Sequence, residues 1–294
     1  MQLCSHLSRA LLRPARLRLG DGMAAAAHSA AAPLAAPKAA LLIIGDEILQ
    51  GSIADANTPW LAKLLYSRGV DLVRVECVPD DKADIIETVH RLRRRVGDSG
   101  FVFTSGGIGP THDDVTYEAL AEAFGRKLER HAPTVALMEP HYKARNMELN
   151  EARLRMAALP APADAVLFTP GLWVPLVVLE RVHVLPGIPR LFQAMVGAHQ
   201  DRFQGPLSSS QVLYTHMGEG DLADPLAEVA KAHPGVSIGS YPNTAAAAGE
   251  GGGAYKVKLA FSSRDAAALA AAVGAARGAL PGLFEAGGGA AAPE

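Results

Sequence analysis

Three short apolar runs, each followed by an amphipathic stretch, constrain the fold of this chain more than any other feature. The runs are AALLIIG at 39–45, VDLVRVECV at 70–78 and FVFTS at 101–105. Helical apolar spacing follows each run, over 57–69, 84–96 and 115–124. Because strand–helix–strand units connect through right-handed crossovers, this alternation predicts a parallel sheet that is covered by helices on both faces.

The first of these helices begins at Asn57-Thr58-Pro59. Asparagine is a favoured side-chain cap, and proline is favoured in the first helical turn. We therefore expect the Asn57 side chain to cap this helix.

The pattern changes in the second half of the chain. Residues 131–165 predict one or two helices that end at the breaker 159–162, and residues 174–180 and 181–186 predict two further strands. After residue 207 the order strand, helix, strand, strand, helix predicts a small α+β lobe. The expected fold is therefore a three-layer α/β/α domain with a mostly parallel sheet (39–206), followed by a small C-terminal α+β lobe (207–285).

The termini have a different composition. Residues 1–20 contain four arginines and no acidic residue, which is typical of a transit peptide to a mitochondrion or plastid. A disordered basic tail is the alternative, and a start at Met23 would give a cytoplasmic form. Residues 24–38 form an Ala/Pro-rich linker, and residues 243–254 and 286–294 are predicted to be a mobile loop and a disordered tail.

Overall charge and hydropathy exclude several kinds of partner. The net charge of -2 gives no basic footprint for nucleic acid. The apolar runs are too short to span a membrane. Cys4 and Cys77 are the only two cysteines, too few for a disulfide framework.

Acidic pairs follow each of the first three predicted strands: Asp46-Glu47, Asp80-Asp81 and Asp113-Asp114. The carboxyl ends of parallel strands meet at one edge of a sheet, where α/β proteins bind ligands. Helix capping explains one such pair, but three pairs at one edge favour a divalent cation. We expect Asp46, Asp80 and Asp114 to hold Mg²⁺, Mn²⁺ or Co²⁺.

Two glycine-containing turns lie at the same predicted edge. SGGIGPTHDD (105–114) contains Gly106, Gly107 and Gly109, whose backbone amides could approach an anion closely. LPGIPR (185–190) repeats the arrangement at a second strand end. Both turns precede a helix, whose positive N-terminus favours phosphate. A purely structural turn is the alternative at each place. The remaining candidate phosphate-binding residues are Thr111, Pro186, Gly187 and Arg190.

Taken together, these stretches resemble the molybdopterin-binding domain shared by MoaB/Mog proteins and the CinA-like family. The resemblance rests on IIGDEILQGSIADANTPWLAKLL, VECVPDDKADI, TSGGIGPTHDDVTYEALAEAF and VLPGIPR. VPLVVLERVHVLPGIPRLF and SIGSYPNTAAAAGEGGGAYKVKLAFSS further resemble the N-terminal domain of eukaryotic FAD synthase. That likeness extends from about residue 39 to residue 280.

The resemblance implies roles for individual residues. Asp80 and Asp114 match the functional acids of the Mog-type branch and are the expected catalytic residues. Ile108 and Asp113 stand where that branch has threonine and arginine, which disfavours molybdopterin adenylyl transfer. The GGIGPTHDD form matches the CinA and FAD-synthase branch, which implies hydrolysis of a pyrophosphate bond. The synthase's second domain has no counterpart in this sequence.

The expected activity is therefore metal-dependent hydrolysis of a nucleotide cofactor, with FAD giving FMN and AMP as the first substrate. Two alternatives are a molybdopterin-binding protein of molybdenum-cofactor biosynthesis and a non-catalytic flavin or nucleotide-binding module. The resemblance also implies a homo-oligomer.

Overall fold

The computed structural model describes residues 35–243 and 255–285. The predicted leader and linker up to residue 34, the loop at 244–254 and the tail at 286–294 lie outside the described residues. No helix within the described ranges is both long and apolar enough to cross a bilayer.

Eleven strands are present in the described residues: β1 (Lys38–Ile44), β2 (Asp71–Val78), β3 (Phe101–Ser105), β4 (Lys127–Arg130), β5 (Ala158–Ala161), β6 (Ala165–Leu167), β7 (Leu176–Leu179), β8 (Val182–Val184), β9 (Ser209–Thr215), β10 (Ser237–Pro242) and β11 (Val257–Ser263). The helices there are α1 (Asp46–Leu49), α2 (Asn57–Ser67), α3 (Lys82–Val96), α4 (Thr116–Ala123), α5 (Ala132–Lys143), α6 (Glu151–Arg155), α7 (Pro189–Ala198), α8 (Glu219–Ala232) and α9 (Ala266–Ala279).

The central sheet has six strands in the order β2-β1-β3-β8-β7-β6. The first four are parallel, and β7 and β6 are each antiparallel to their neighbours. Glu180 and Arg181 join β7 to β8 with φ of 49° and 63°. Two successive positive φ values are characteristic of a tight hairpin turn. The mostly parallel three-layer fold is confirmed.

Burial explains why the parallel strands form the centre. Every residue of β1 after Lys38, and every residue of β3, is buried. Strands covered on both faces need such continuous apolar runs. Two helix pairs, α2 with α7 and α3 with α4, complete the layers. The larger hydrophobic cluster therefore lies between this sheet and its helices.

The C-terminal lobe is built on the antiparallel sheet β10-β11-β9 with α8 and α9. It has its own hydrophobic cluster, which includes Leu213, Leu259 and Phe261. Arg264 connects it to the larger domain: its Nη2 lies 2.7 Å from Asp71 Oδ1, and its Nε donates to Pro206 O at 2.9 Å. The predicted small α+β lobe is present.

The region 131–165 corrects one expectation. Helices α5 and α6 are present, but most of the expected breaker at 159–162 lies in β5, which pairs with the unpredicted β4. Pro160 is compatible with this strand because both members of a two-stranded ribbon are edge strands. The four-residue helix α1 was also not predicted.

Candidate functional site

A cavity of about 780 Å³ opens at the carboxyl edge of the parallel strands. Its walls include the ends of β1 and β3 and residues that follow β2 and β8, such as Ile44, Ser105, Asp80 and Gly187. The volume lies within the range of small-molecule sites, and the position is the one at which open α/β sheets bind ligands.

The first glycine turn (residues 105–110) follows β3 and is packed tightly against β1. Gly106 and Gly107 have φ of 113° and 64°. A Cβ on Gly106 would lie 2.1 Å from Ile44 O, and one on Gly107 would lie 2.3 Å from Thr116 Oγ1. Packing against protein atoms therefore requires glycine at both positions. This agrees with the alternative that these glycines serve a purely structural turn.

Asp114, which follows the first glycine turn in sequence, stabilises it through hydrogen bonds. Its Oδ1 accepts the Gly109 N–H at 2.6 Å, and its Oδ2 accepts both the Thr111 N–H at 2.9 Å and the Thr111 hydroxyl. Arg155 Nη1 donates to Thr111 O at 3.0 Å from the outer side. Thr111, expected at the phosphate, is thus engaged by Asp114 and is not among the residues of the cavity wall.

Hydrogen bonding decides which amides remain for a ligand. The Gly106 N–H donates to Leu185 O at 3.1 Å, and the Gly109 N–H is taken by Asp114. Within the described residues, the wall amides of Gly107 and Ile108 donate no hydrogen bond, nor do those of Gly187 and Ile188. Of the three glycines predicted in the first turn, only Gly107 therefore keeps a free amide, and the predicted Gly187 keeps one in the second turn, with Ile108 and Ile188 beside them.

The second glycine turn (residues 185–188) leads directly into α7. Ile188 is the N-cap of α7 and Pro189 opens the helix, with no side-chain cap. Arg190 lines the cavity and makes no ion pair within the described part of the chain. The positive end of a ten-residue helix is therefore directed at the same space as the free amides.

Asn57 connects the two turns, a role that the sequence did not reveal. Its Nδ2 donates to Ser105 Oγ and to Gly187 O, both at 2.9 Å. The expected helix cap is instead Asp55, whose Oδ1 accepts the N–H groups of Asn57 and Thr58 at 2.9 and 3.1 Å. Asn57 is 4% exposed, and its Oδ1 is buried without a partner in the described structure.

The acidic pairs are divided between structural and cavity positions. Asp81 caps α3, where its Oδ1 accepts the Ala83 and Asp84 N–H groups at 2.8 and 3.1 Å. Asp80 lines the cavity, and its Oδ2 accepts the Asp46 N–H at 3.0 Å. Burial raises the pKa of Asp80, and the nearby charges of Glu47, Asp46 and Asp113 add to that rise.

The expected three-carboxylate metal site is not assembled. Across residues 35–243 and 255–285, no group of three or more His, Cys, Asp or Glu side chains is arranged to hold a metal ion. Asp46 lies outside the cavity wall, and the Asp114 oxygens are engaged in the first turn. Besides Asp114, the wall contains the carboxylates of Glu47, Asp80 and Asp113, together with Asp55, whose Oδ1 caps α2.

Of the predicted site residues, the cavity wall contains Asp80, Gly106, Gly107, Gly109, Asp114, Pro186, Gly187 and Arg190. It also contains an aromatic wall that sequence reasoning missed, which we define as His141, Arg145, Met156, Leu172 and Trp173. A tryptophan in the breaker-rich stretch PGLWVP was an available signal, because aromatic residues on loops often serve binding.

Comparisons with known proteins agree with this architecture. The family model described as "Probable molybdopterin binding domain" matches residues 40–201, and that of "FAD synthase, middle domain" matches residues 208–285. A protein of Archaeoglobus fulgidus is 32% identical over 203 residues, which cover 69% of this chain and 84% of that protein.

Two CinA-type proteins are also similar. A CinA-like protein of Myxococcus xanthus is 38% identical over 160 residues, which cover 53% of this chain and 37% of that protein. The crystal structure of CinA from Thermoplasma acidophilum, a protein described there as having unknown function, superposes with a TM-score of 0.50 at 28% identity. The superposition covers 57% of this chain and 98% of that one.

Proposed function

Because the chain belongs to the molybdopterin-binding domain family, in its CinA-like branch, and continues into a FAD synthase middle domain, we propose that its cavity hydrolyses a nucleotide cofactor. FAD is the first substrate. Water attacks one phosphorus of the diphosphate and the bridging P–O bond breaks, which releases FMN and AMP.

The observation that supports this proposal best is the meeting of free amides and a carboxylate in one cavity. Gly107 and Ile108 from the first turn, and Gly187 and Ile188 from the second, present unpaired N–H groups within the described structure. Such groups bind diphosphate oxygens, and the N-terminus of α7 adds positive potential. The Arg190 guanidinium supplies a further donor for phosphate.

Asp80 is the proposed general base. Burial raises the pKa of its carboxyl, which brings its basicity closer to that needed to accept a proton from water at neutral pH. The Asp46 N–H fixes one carboxylate oxygen at 3.0 Å. Asp114 is proposed as a positioning residue, because its oxygens hold Gly109 and Thr111.

The wall also fits a divalent ion that arrives with the substrate. Hard carboxylate oxygens on Asp113 and Glu47 are suitable ligands, which leaves Asp80 free to act as the base, and Mg²⁺ is commonly held by one or two carboxylates together with substrate phosphates. Bound there, such an ion would neutralise charge on the phosphoryl oxygens.

A substrate-by-metal screen tests the proposal. Purified protein is incubated with FAD, ADP-ribose and other dinucleotides in the presence of Mg²⁺, Mn²⁺ or Co²⁺, and release of AMP is measured. We expect Asp80→Asn to lower turnover by about 100-fold or more, because it removes the base. Asp84→Asn is the matched control, since Asp84 is exposed on α3 and is not in the cavity wall.

Two results would reject this function. The first is the absence of AMP with every metal, and the second is unchanged turnover in Asp80→Asn. Binding of the nucleotide without product would instead identify a non-catalytic module.

A second candidate, molybdopterin binding, is favoured by the family match over residues 40–201. Tight binding of molybdopterin, with adenylylation when ATP is added, would support it. Ile108 is 6% exposed and contributes an aliphatic side chain where the Mog-type branch has a hydroxyl.

A further inference from the structure

We propose that the aromatic wall is a ring subsite that binds an electron-poor, carbonyl-bearing heterocycle, an isoalloxazine or a pterin, with Trp173 as its stacking surface. The proposal rests on the proposed function, since it assigns one end of the nucleotide to one end of the cavity. It differs from the proposed phosphate-binding turns because its residues come from the C-terminal part of α5, the segments that directly follow α5 and α6, and the loop before β7.

The Trp173 side chain contacts two other aromatic rings and is only partly buried. Its ring centroid lies 6.0 Å from that of His141 and 6.1 Å from that of Tyr142. It packs against both the central core and the separate cluster of Met138, Met156 and Ala157. A braced aromatic ring in a cavity wall offers a ligand a flat surface at little entropic cost.

The antiparallel direction of β7 explains how this loop reaches the site. The segment before β7 lies at the same edge of the sheet as the segments that follow the parallel strands. The cavity wall therefore contains residues of this segment, namely Gly171, Leu172, Trp173 and Val174. They precede their strand, whereas each glycine turn follows its strand.

The polar groups of the aromatic wall are hydrogen-bond donors. Arg145 donates through Nη1 to His141 O at 3.0 Å and has no ion-pair partner within the described residues. The Trp173 indole N–H makes no hydrogen bond in the described part of the chain. Burial lowers the pKa of His141, so the positive charge of this wall is that of Arg145.

Donors select the type of ring. Guanidinium and indole N–H groups cannot accept hydrogen bonds, so they match ring carbonyl oxygens and not an exocyclic amine. An isoalloxazine presents two carbonyl oxygens and a pterin presents one, whereas adenine has no carbonyl and accepts only through its ring nitrogens. The electron-rich face of the Trp173 indole also favours offset stacking with an electron-poor ring.

The test uses the two tryptophans of the chain. Trp60 packs edge-on against Phe192, with centroids 6.2 Å apart, and is not in the cavity wall. In a Trp60→Phe protein, fluorescence therefore reports on Trp173. The full chain is titrated with FMN, pterin-6-carboxylate and AMP. We expect FMN or the pterin to quench this fluorescence. In Trp173→Leu, binding is measured by the emission of the flavin or pterin itself, and we expect the affinity for that ligand to fall at least tenfold.

Arg145→Met provides a second variant that does not disturb packing, because Arg145 is exposed. We expect it to lower the affinity for FMN or the pterin several-fold. Lys143→Met, outside the cavity wall, should leave the affinity for both compounds unchanged. AMP affinity should respond less than twofold to either cavity variant. Preference for FMN or for the pterin identifies the natural ring.

The proposal is overturned if neither ring compound binds, if Trp173→Leu and Arg145→Met change their affinity less than twofold, or if AMP is weakened equally. Ring binding that depends on Trp173, without release of AMP from FAD, would reject the hydrolysis and leave the ring subsite standing.

Discussion

The two glycine turns lie side by side, yet they are stabilised in different ways. The Cβ position of Gly187 is 3.4 Å from Gly106 Cα. The first turn is held by side chains, chiefly Asp114 and Thr116. Its Gly106 and Gly109 amides donate hydrogen bonds to other protein atoms. The second turn keeps its Gly187 and Ile188 amides unpaired in the described structure. Each turn thus keeps two unpaired amides in the described structure, and the difference is that the first is also braced as a scaffold by Asp114 and Thr116.

The largest difference should follow from adding one methyl group to each turn. Gly106→Ala would place Cβ 2.1 Å from Ile44 O at a φ of 113°, so we expect a loss of about 4 kcal/mol in unfolding free energy. Gly187→Ala meets only ordinary contacts and should cost less than about 1 kcal/mol. Urea denaturation measures both; equal losses would contradict the assignment of the first turn as scaffold.

A pH effect should be shared by the two turns, because His183 lies in β8, which leads to the second turn, and is paired with Phe103 of β3, which leads to the first. Burial lowers the pKa of His183 to about 4 from 6.5, and its ring stacks on Phe103 at 5.2 Å. Between these pH values the unfolded state binds more protons, so stability falls as pH decreases from 6.5 towards 4. The expected loss is on the order of 3 kcal/mol.

Denaturation curves at pH 7, 5 and 4 measure this effect. His183→Leu should flatten the dependence between pH 6.5 and 4, whereas His216→Gln, at an exposed position, should keep it. An identical pH slope in His183→Leu and the unsubstituted protein would remove His183 as the cause.

Substitution of Asp114 tests the scaffold role of the first turn directly. Asp114→Ala leaves the Gly109 and Thr111 amides and the Thr111 hydroxyl without their acceptor, so we expect a loss of about 2 kcal/mol. The adjacent Asp113→Asn should change stability by less than about 0.5 kcal/mol, because Asp113 is exposed. Thermal and urea unfolding compare the two, and a neutral Asp114→Ala would contradict the bracing role.

The smallest expected effect concerns the link between the turns. Asn57→Ala removes the bonds to Ser105 and Gly187 and should cost about 1 kcal/mol, with weaker binding of pyrophosphate. Thr58→Val is its control, because the Thr58 hydroxyl is buried without a partner in the described structure. Calorimetric titration with pyrophosphate distinguishes them; equal affinity in Asn57→Ala would show that the turns keep their spacing without this link.

The sequence predicted the central sheet because its signal is local and strong. Buried parallel strands such as β1 and β3 require continuous apolar runs, and these are visible without any partner. By contrast, β4 has the sequence KLER and is exposed throughout. Its pairing with β5 supplies the structure, so no pattern within these four residues could predict it.

The candidate site shows the same division. Glycines and acids at strand ends placed Asp80, Gly107 and Gly187 at the cavity edge. The role of Asn57 depends on contacts with residues 48 and 130 positions away, which no local pattern encodes. Likewise, the loss of the Gly106 amide to Leu185 is decided by packing between strands that are distant in sequence.

The Arg264 bridge has a consequence for how such proteins can diversify. Asp71, its partner, is the first residue of β2 and therefore lies at the amino edge of the parallel sheet, opposite the cavity. The Arg264 bridge thus attaches the C-terminal lobe at the edge of the sheet opposite the candidate cavity. Evolution can replace or enlarge such a module while the inherited site stays intact, so lobe and cavity are free to evolve at different rates.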